Sequence, residues 1–373
     1  MKYIHQRRDW PAFTWDQHAL ASKLAAVRHR QGRLVGRMEG LGFMLRNEAS
    51  FETIALDVLK SSEIEGEILN ADQVRSSIAR RLGIEIAGAV EADRHIDGVV
   101  EMMLDATQNY AKPLTKARLC GWHASLFPTG FSGMSRIQVG AWRSDKKGPM
   151  QVVSGAIGRE KVHFEAPAAV RVAAEMKAFI AWHNQTNLAK DIDPVMRAAL
   201  AHYWFITIHP FEDGNGRIAR AIADGALAQS EGSPQRFYSM SAQIRAERDA
   251  YYSILERSQK GTLDITPWMG WFLDCLDRAI TGAESTLSVV LCKARFWETH
   301  ADKPKLINER QKRMLNQLLD GFEGKLTSTK WAKIAKCSQD TAQRDIQGLM
   351  DQGILSKDDA GGRSTSYSLV ETR

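Results

Sequence analysis

His209-Pro210-Phe211-Glu212-Asp213-Gly214-Asn215-Gly216-Arg217-Ile218-Ala219-Arg220 is the stretch whose reading decides the fold and the chemistry of this chain. Pro210 disfavours the α conformation at His209, so the apolar helix that precedes it ends there. That helix starts cleanly, with Asp193 as N-cap and Pro194 at its first position. After His209 a loop with two glycines opens a second helix. Such a loop turns backbone N–H groups toward an anion, and the helix N-terminus adds partial positive charge. Arg217 and Arg220 are three residues apart and share a helix face beside that site. Asp213 sets one carboxylate at the cradle, as Mg²⁺ shared with phosphate oxygens requires. His209 at the rim is suited to accept a proton near neutral pH. Alone, each feature is usually only a turn, a helix end or a solvated face. Nine specified positions within twelve residues make a phosphate-transfer site the better reading.

Outward from this segment the pattern is helical to about residue 290. Ser50 can cap a helix over 50–65 with Phe51, Ile54, Ala55 and Val58 on one face, stopped at Gly66. Asn70 can cap a second, with Val74, Ile78 and Leu82 on one face and Gly83 beyond its end. A third covers 89–109 and buries Val99, Met103 and Leu104, and Pro113 marks a soft boundary after it. Further helices are expected at 168–187, at 241–258, and from Thr266-Pro267 onward, where Trp268, Trp271, Phe272 and Leu273 read as core. Between them, the glycine- and proline-punctuated stretch 140–167 holds two β-like runs, Met150–Ser154 and Lys161–Phe164, which read as a hairpin. A polar linker at 302–308 precedes a helix at Gln311–Leu319. Ser328 can cap a helix to Ala335 and Ser338 one to Gln352, stopped by Gly353. The tail carries Gly361-Gly362 between β-like segments. Three helices and a small hairpin in this order form the winged helix-turn-helix pattern.

Composition narrows the function. The chain has 373 residues, 44% hydrophobic and 25% charged, as expected of a globular protein of two or three domains. No apolar stretch spans a bilayer: Val195 to Ile208 is too short and carries Arg197 and His202. Met1 to Trp10 is charged and lacks the apolar core of a signal peptide. Cys120, Cys275, Cys292 and Cys337 are scattered without a C-x-x-C pair, which fits reduced thiols and a cytoplasmic location rather than disulfides or zinc. The net charge of +6 permits an acidic partner without demanding one.

The twelve-residue segment matches the motif of the Fic family, His-Pro-Phe-x-Asp/Glu-Gly-Asn-Gly-Arg-x-x-Arg, without a departure. Nearly the whole chain resembles one Fic architecture. The expected fold is therefore mainly α. It comprises an N-terminal helical region (1–112), a Fic core with a small β-hairpin flap (113–290) and a C-terminal winged helix-turn-helix (305–373). The resemblance implies a protein adenylyltransferase that moves AMP from ATP to a Ser, Thr or Tyr hydroxyl. In it His209 is the general base, and Asp213 holds Mg²⁺ or Mn²⁺ on the α- and β-phosphates. Gly214, Asn215 and Gly216 cradle the phosphates, Arg217 reaches the β-phosphate and Arg220 the γ-phosphate. Phe211 anchors the loop. Tyr251 and Tyr252 correspond to tyrosines near the adenine, with Gln259 where some relatives carry Asn. The hairpin at 147–165 is similar to the family's flap, on which an extended segment of the target protein docks by β-augmentation.

Ser61-Ser62-Glu63-Ile64-Glu65-Gly66 matches the family's inhibitory pattern, Ser/Thr-x-x-x-Glu-Gly/Asn. Ser61 and Glu65 lie one turn apart on one helix face. The resemblance implies that Glu65 pairs with Arg220 and keeps the γ-phosphate from docking. In the C-terminal region, residues 301–373 hold 13 Lys/Arg against 10 Asp/Glu, a weak nucleic-acid footprint. Arg344 is the one basic residue inside the recognition helix of that pattern, Lys333, Lys336 and Arg363 are the residues that would line DNA phosphates, and a protein-docking or homodimer-supporting role stands beside that reading. The alternatives to the transferase are a DNA-binding regulator whose Fic core senses nucleotide, and a Fic enzyme that removes AMP. No membrane partner is expected.

Overall fold

The structure is a computed structural model that describes residues 2–40, 43–84, 89–155, 159, 161–185, 192–300, 307–319, 322, 324–358 and 365–370. The expectations for Gly158, the linker at 302–306, Gly361, Gly362, Arg363 and the Cys292 thiol lie outside the described residues and side chains. In chain order the elements are α1 (Gln17–Glu39), α2 (Phe43–Ile64), α3 (Ala71–Leu82), α4 (Arg94–Gln108) and α5 (Lys116–Leu126). Next come the short strands β1 (Phe131–Ser132) and β2 (Ser135–Arg136), then the hairpin β3 (Gln151–Ser154) and β4 (Lys161–Glu165). They are followed by α6 (Ala169–His183), α7 (Pro194–Ile208), α8 (Asn215–Glu231), α9 (Met240–Ala246), α10 (Arg248–Gln259) and α11 (Thr266–Thr299). The chain closes with α12 (Glu309–Leu319), α13 (Ser328–Ala335), α14 (Gln339–Asp351), β5 (Leu355–Lys357) and β6 (Tyr367–Leu369). No helix among the described residues is long and apolar enough to cross a membrane.

Two compact units result, Met1–Ala283 and Glu284–Arg373. At the centre of the first is α7. From Val195 to Ile208 only Arg197 escapes full burial, because the sequence there is apolar on every face. Each such buried aliphatic or aromatic side chain contributes roughly 1.5–3 kcal/mol. α8 packs along α7, and α2, α4 and α5 pack on α8. This brings the end of α2, with Ser61 and Glu65, to the start of α8, with Arg217 and Arg220. β3 and β4 pair antiparallel, with an irregularity between Val152 and Val153, and β4 rests on α10. In the second unit Met314, Leu315, Trp331, Ile346, Leu349 and Leu355 form an apolar core, and β5 pairs antiparallel with β6. Lys336, with φ 50°, makes the tight left-handed turn between α13 and α14.

Several local expectations hold in detail. Asn70 caps α3 by accepting from the Gln73 N–H at 3.0 Å, and Gly83 ends it with φ 68°. Asp193 caps α7, Pro194 opens it and Ser338 caps α14. Others are corrected. Ser50 is not a cap but lies buried inside α2, which begins at Phe43. The stretch 241–258 is two helices, broken at Glu247, whose carboxylate is held by Arg278 of α11. The cap of α13 is Thr327 rather than Ser328: its hydroxyl accepts from the Lys330 N–H at 3.2 Å. α6 ends at His183, short of 187. The two-residue strands β1 and β2 carry no sequence periodicity and escape a sequence reading. Trp268, Phe272 and Leu273 are fully buried, as the aromatic spacing implies.

Candidate active site

His209 is the C-cap of α7 and adopts φ 53°, ψ 58°, a left-handed conformation rare for a residue with a Cβ. Pro210 closes the right-handed helical alternative. Holding a non-glycine residue there costs on the order of 1 kcal/mol and persists only where the surroundings enforce it. Here the enforcement comes from Arg143, a residue with no sequence motif around it. Its backbone N–H donates to the Pro210 carbonyl at 2.9 Å, its Nε to the His209 carbonyl at 2.7 Å, and its other guanidinium branch to the Pro167 carbonyl. One arginine thus ties the motif loop to the end of the flap.

The His209 ring is also fixed. Its Nδ1 lies 3.1 Å from the Ile206 carbonyl, which can only accept, so Nδ1 carries the hydrogen and Nε2 keeps its lone pair. Desolvation, helped by the Arg143 charge, lowers the imidazole to about 4 against the opposing pull of the Ile206 hydrogen bond. His209 is therefore neutral and basic at Nε2 across the physiological range.

The loop that follows is built as a rigid cradle. Phe211 is fully buried and stacks on His123, ring centroids 4.2 Å apart. Asn215 is buried too: its Oδ1 accepts from the Phe211 N–H and its Nδ2 donates to the Phe211 carbonyl, both at 2.9 Å. Its side chain staples the loop, leaving backbone to face a ligand. Gly214 caps α8 with φ 77°, and a Cβ there would meet Phe127 Cε2 at 2.9 Å. A Cβ on Gly216 would lie 2.1 Å from Glu65 Oε1. Asp213 accepts from the Gly214 N–H through Oδ1 and from the Ser132 hydroxyl through Oδ2. No group of three His, Cys, Asp or Glu that could hold a metal exists among the described residues. Asp213 therefore stands without a second or third such ligand beside it among the described residues, and Mg²⁺ is commonly held by one or two carboxylates together with water and phosphate oxygens.

Both motif arginines are buried and engaged. Arg220, 2% exposed, donates through Nε to Ser61 Oγ at 2.9 Å, and through Nη2 to the Ser61 carbonyl at 2.8 Å and Glu65 Oε1 at 2.7 Å. Its Nη1 finds no acceptor among the described residues. Arg217, 5% exposed, donates to Glu67 Oε2 at 2.8 Å and lies over the Phe127 ring. The other Glu67 oxygen abuts His95 Nε2. Glu67 is not part of any motif; its position two residues after Glu65 and its charge were the available signal.

A cleft of about 680 Å³ joins these groups: Glu65, His209, Asp213 and Gly216 on one side, the flap on another, α10 on the third. Tyr251 and Tyr252 border it. Tyr251 is almost fully buried with its hydroxyl 3.0 Å from His202 Nε2, while Tyr252 is less buried and carries the Arg248 guanidinium over its ring. Gln259 is buried and donates to Thr207 Oγ1 at 3.2 Å.

Residues 113–227 match the family model described as Fic/DOC family, and residues 3–84 match a domain of unknown function, DUF4172. Among curated proteins the chain is 25% identical over 244 residues to the protein adenylyltransferase Fic of Drosophila virilis, which covers 63% of this chain and 43% of that protein. The first curated relatives it matches are spanned over only 20% to 43% of their length. Among solved structures, a Fic family protein from Desulfovibrio desulfuricans G20 aligns over 97% of this chain and 99% of its own, with TM-score 0.53 and 22% identity. A Fic domain containing signaling protein from Bacteroides thetaiotaomicron aligns over 69% and 96%, with TM-score 0.50 and 23% identity. These likenesses establish the fold: a mainly helical chain with small antiparallel hairpins.

Proposed function

We propose, from the premise that this chain carries a Fic/DOC-family domain, that it is a protein adenylyltransferase held in an inhibited state by its own N-terminal helices. The observation that carries the reading is His209. A ring fixed through Nδ1–H, neutral and with a free Nε2 at the wall of the cleft, is placed to take a proton from an incoming hydroxyl. That oxygen attacks the α-phosphorus of ATP, and pyrophosphate leaves. The backbone N–H groups at the start of α8 receive the phosphates at the positive end of the helix dipole. Arg220, buried beside the cradle, is the guanidinium that would receive a γ-phosphate once Glu65 is displaced. A divalent cation, when bound at Asp213, supplies charge neutralisation on the α- and β-phosphates. The flap edge at 147–165 receives an extended segment of the target protein.

Inhibition follows from occupancy. Glu65 holds Arg220, and Glu67 holds Arg217, so both cations that would clamp the phosphates are neutralised by one turn of chain. A second reading uses the same geometry. The Glu65 side chain is 31% exposed and lines the cleft, where it is able to orient water for the removal of AMP from a modified protein. Incubation with α-labelled ATP, Mg²⁺ and cell lysate separates the two. Label on protein, abolished by His209→Ala and by excess chelator, supports transfer. Release of AMP from a labelled protein, lost in Glu65→Gly, supports removal. Label transfer at near wild-type rate in His209→Ala would defeat the reading.

A further inference from the structure

Below the Glu65–Arg220 contact, the same two helix faces carry a second, buried charge cluster that the transfer reading leaves unused. Asp57, Ser61 and Glu65 follow at four-residue intervals on α2 and the turn that ends it, and Arg220 and Asp224 do so on α8. Asp57 and Asp224 are both buried. Asp57 Oδ1 accepts from the Ser239 hydroxyl at 2.5 Å and from the Ser241 N–H of α9 at 3.3 Å. Arg236, between α8 and α9, donates through Nη1 to the Asp224 carbonyl at 2.6 Å, and its Nη2 stands 3.3 Å from Asp224 Oδ1. Its Nε lies 4.0 Å from Oε2 of Glu231, a third buried carboxylate. The other oxygen of Glu231 accepts from Gln31 of α1 and from the Tyr238 hydroxyl. The remaining charged groups around α2 are engaged elsewhere. Arg75 of α3 holds Glu52, and Lys60 and Arg245 hold Glu63. On α4, Asp97 pairs with Arg80 and Arg81, and Asp105 with Arg118.

Asp57, Asp224 and Glu231 thus surround one guanidinium, and Asp224 also feels Arg220 one turn toward the cleft. Ionising all three in the interior is unfavourable, and one keeps a proton instead. Burial, and after it the Asp224 charge, raise the Asp57 carboxyl to about 8 against the opposing pull of Arg236 and the Ser239 bond. We propose that Asp57 and Asp224 form a pH-sensitive latch on the inhibitory helix: with the proton bound, α2 is seated on α8 and α9, and its loss loosens α2 and draws Glu65 away from Arg220. The inference rests on the inhibition described above. The seated state binds a proton that a loosened, solvated Asp57, titrating at about 3.9, does not. Seating is therefore strongest at low pH, weakens as pH rises toward 8 and changes no further above it. Each pH unit below 8 shifts the balance by up to about tenfold. The helix transmits the change, since its rise sets Glu65 about 12 Å from Asp57 along one axis.

The test is hydrogen exchange of the α2 amides in the whole chain, referred to the intrinsic exchange rate at each pH, from about pH 6.5 to about pH 9. AMP transfer from α-labelled ATP is measured in parallel. Wild type is expected to lose protection by up to about tenfold per pH unit until about pH 8 and to level off beyond it. Asp57→Asn, neutral at every pH, should hold its protection constant. The wild-type transfer rate divided by that of Glu65→Gly should rise over the same window, and the corresponding ratio for Asp57→Asn should stay flat. Should Asp57→Asn not fold, Asp224→Asn removes the like charge and is expected to move the window to lower pH. Protection that is independent of pH in wild type, or that falls equally in Asp57→Asn, overturns the latch, as does an unmoved window in Asp224→Asn. Protection that falls while the rate ratio of two active proteins stays flat overturns its link to Glu65. Protection that falls as expected while neither wild type nor Glu65→Gly transfers AMP upholds the latch and overturns the transferase reading.

Discussion

Glu65 Oε1 lies 2.7 Å from Arg220 Nη2, and the backbone of Gly216 passes so close that a Cβ there would sit 2.1 Å from the same carboxylate oxygen. The acid at the end of α2 is thus inserted between the second motif arginine and the anion cradle. On the function proposed above, its carboxylate would occupy space and a cation that a bound triphosphate needs.

Glu65→Gly should therefore raise AMP transfer well above wild type, most visibly as self-labelling with α-labelled ATP. Releasing Arg220 restores phosphate alignment, and a misplacement of about 1 Å costs roughly a hundredfold in rate. Arg220→Ala should not mimic it, because that change removes the phosphate clamp together with its occupant. Equal rates for wild type and Glu65→Gly across ATP concentrations would sink the inhibition model.

Glu67→Gln should act on the other arginine. Arg217 is 5% exposed and its pair with Glu67 is half-buried, so the neutral amide weakens a charge-assisted contact worth roughly 1.5–3 kcal/mol before solvent screening. In the Glu65→Gly background the added change is expected to lower the KM for ATP several-fold. A raised KM would instead mean that Glu67 orients Arg217 for its ligand.

The acid limb of the transfer reaction should lie far below the ordinary histidine range. Burial brings His209 to about 4, so its base form persists as pH falls and is lost only near that value. The pH profile of kcat/KM in Glu65→Gly, read with circular dichroism to confirm folding, checks this. An acid midpoint near 6.5 would mean that another group is the base.

Stability should decline at higher pH than that kinetic limb, between about 6.5 and 4. His123, His183 and His209 are each lowered to about 4, desolvation being the largest cause, while the unfolded chain takes up protons near 6.5. At these three sites the folded state binds fewer protons, which outweighs the proton that burial keeps on Asp57, raised to about 8, so the histidine contribution is full above pH 6.5 and falls as pH drops toward 4. The slope is on the order of 1 kcal/mol per group per pH unit. Urea midpoints measured from pH 7 to pH 4.5 give the sign directly; a rising midpoint on acidification contradicts it.

Arg143→Lys should impair catalysis while leaving the helices intact. The guanidinium fork serves the His209 and Pro167 carbonyls at once, and a point-charge ammonium cannot reproduce both. A fall in kcat of roughly 10- to 100-fold, from 1.5–3 kcal/mol of lost charge-assisted bonding, is expected with far-UV circular dichroism unchanged. Wild-type kcat in this variant would show that the strained His209 backbone needs no such brace.

The sequence by itself determined the local features whose causes are local. Pro210 after an apolar run ends α7 at His209, Asp193-Pro194 starts it, and the two glycines shape the cradle. Ser61 and Glu65 share a face because four residues make one turn. The hairpin announces itself through glycines and alternating residues. Tertiary structure decided whatever depends on which surfaces meet. It buried Ser50 within α2, split the stretch 241–258 at Glu247, brought Arg143 from 66 residues away onto the His209 carbonyl, and set Glu67 against Arg217 across 150 residues. Backbone propensity acts over a few residues, whereas a buried guanidinium takes whichever carbonyl or carboxylate the packing of helices delivers, and no spacing in one dimension records that choice.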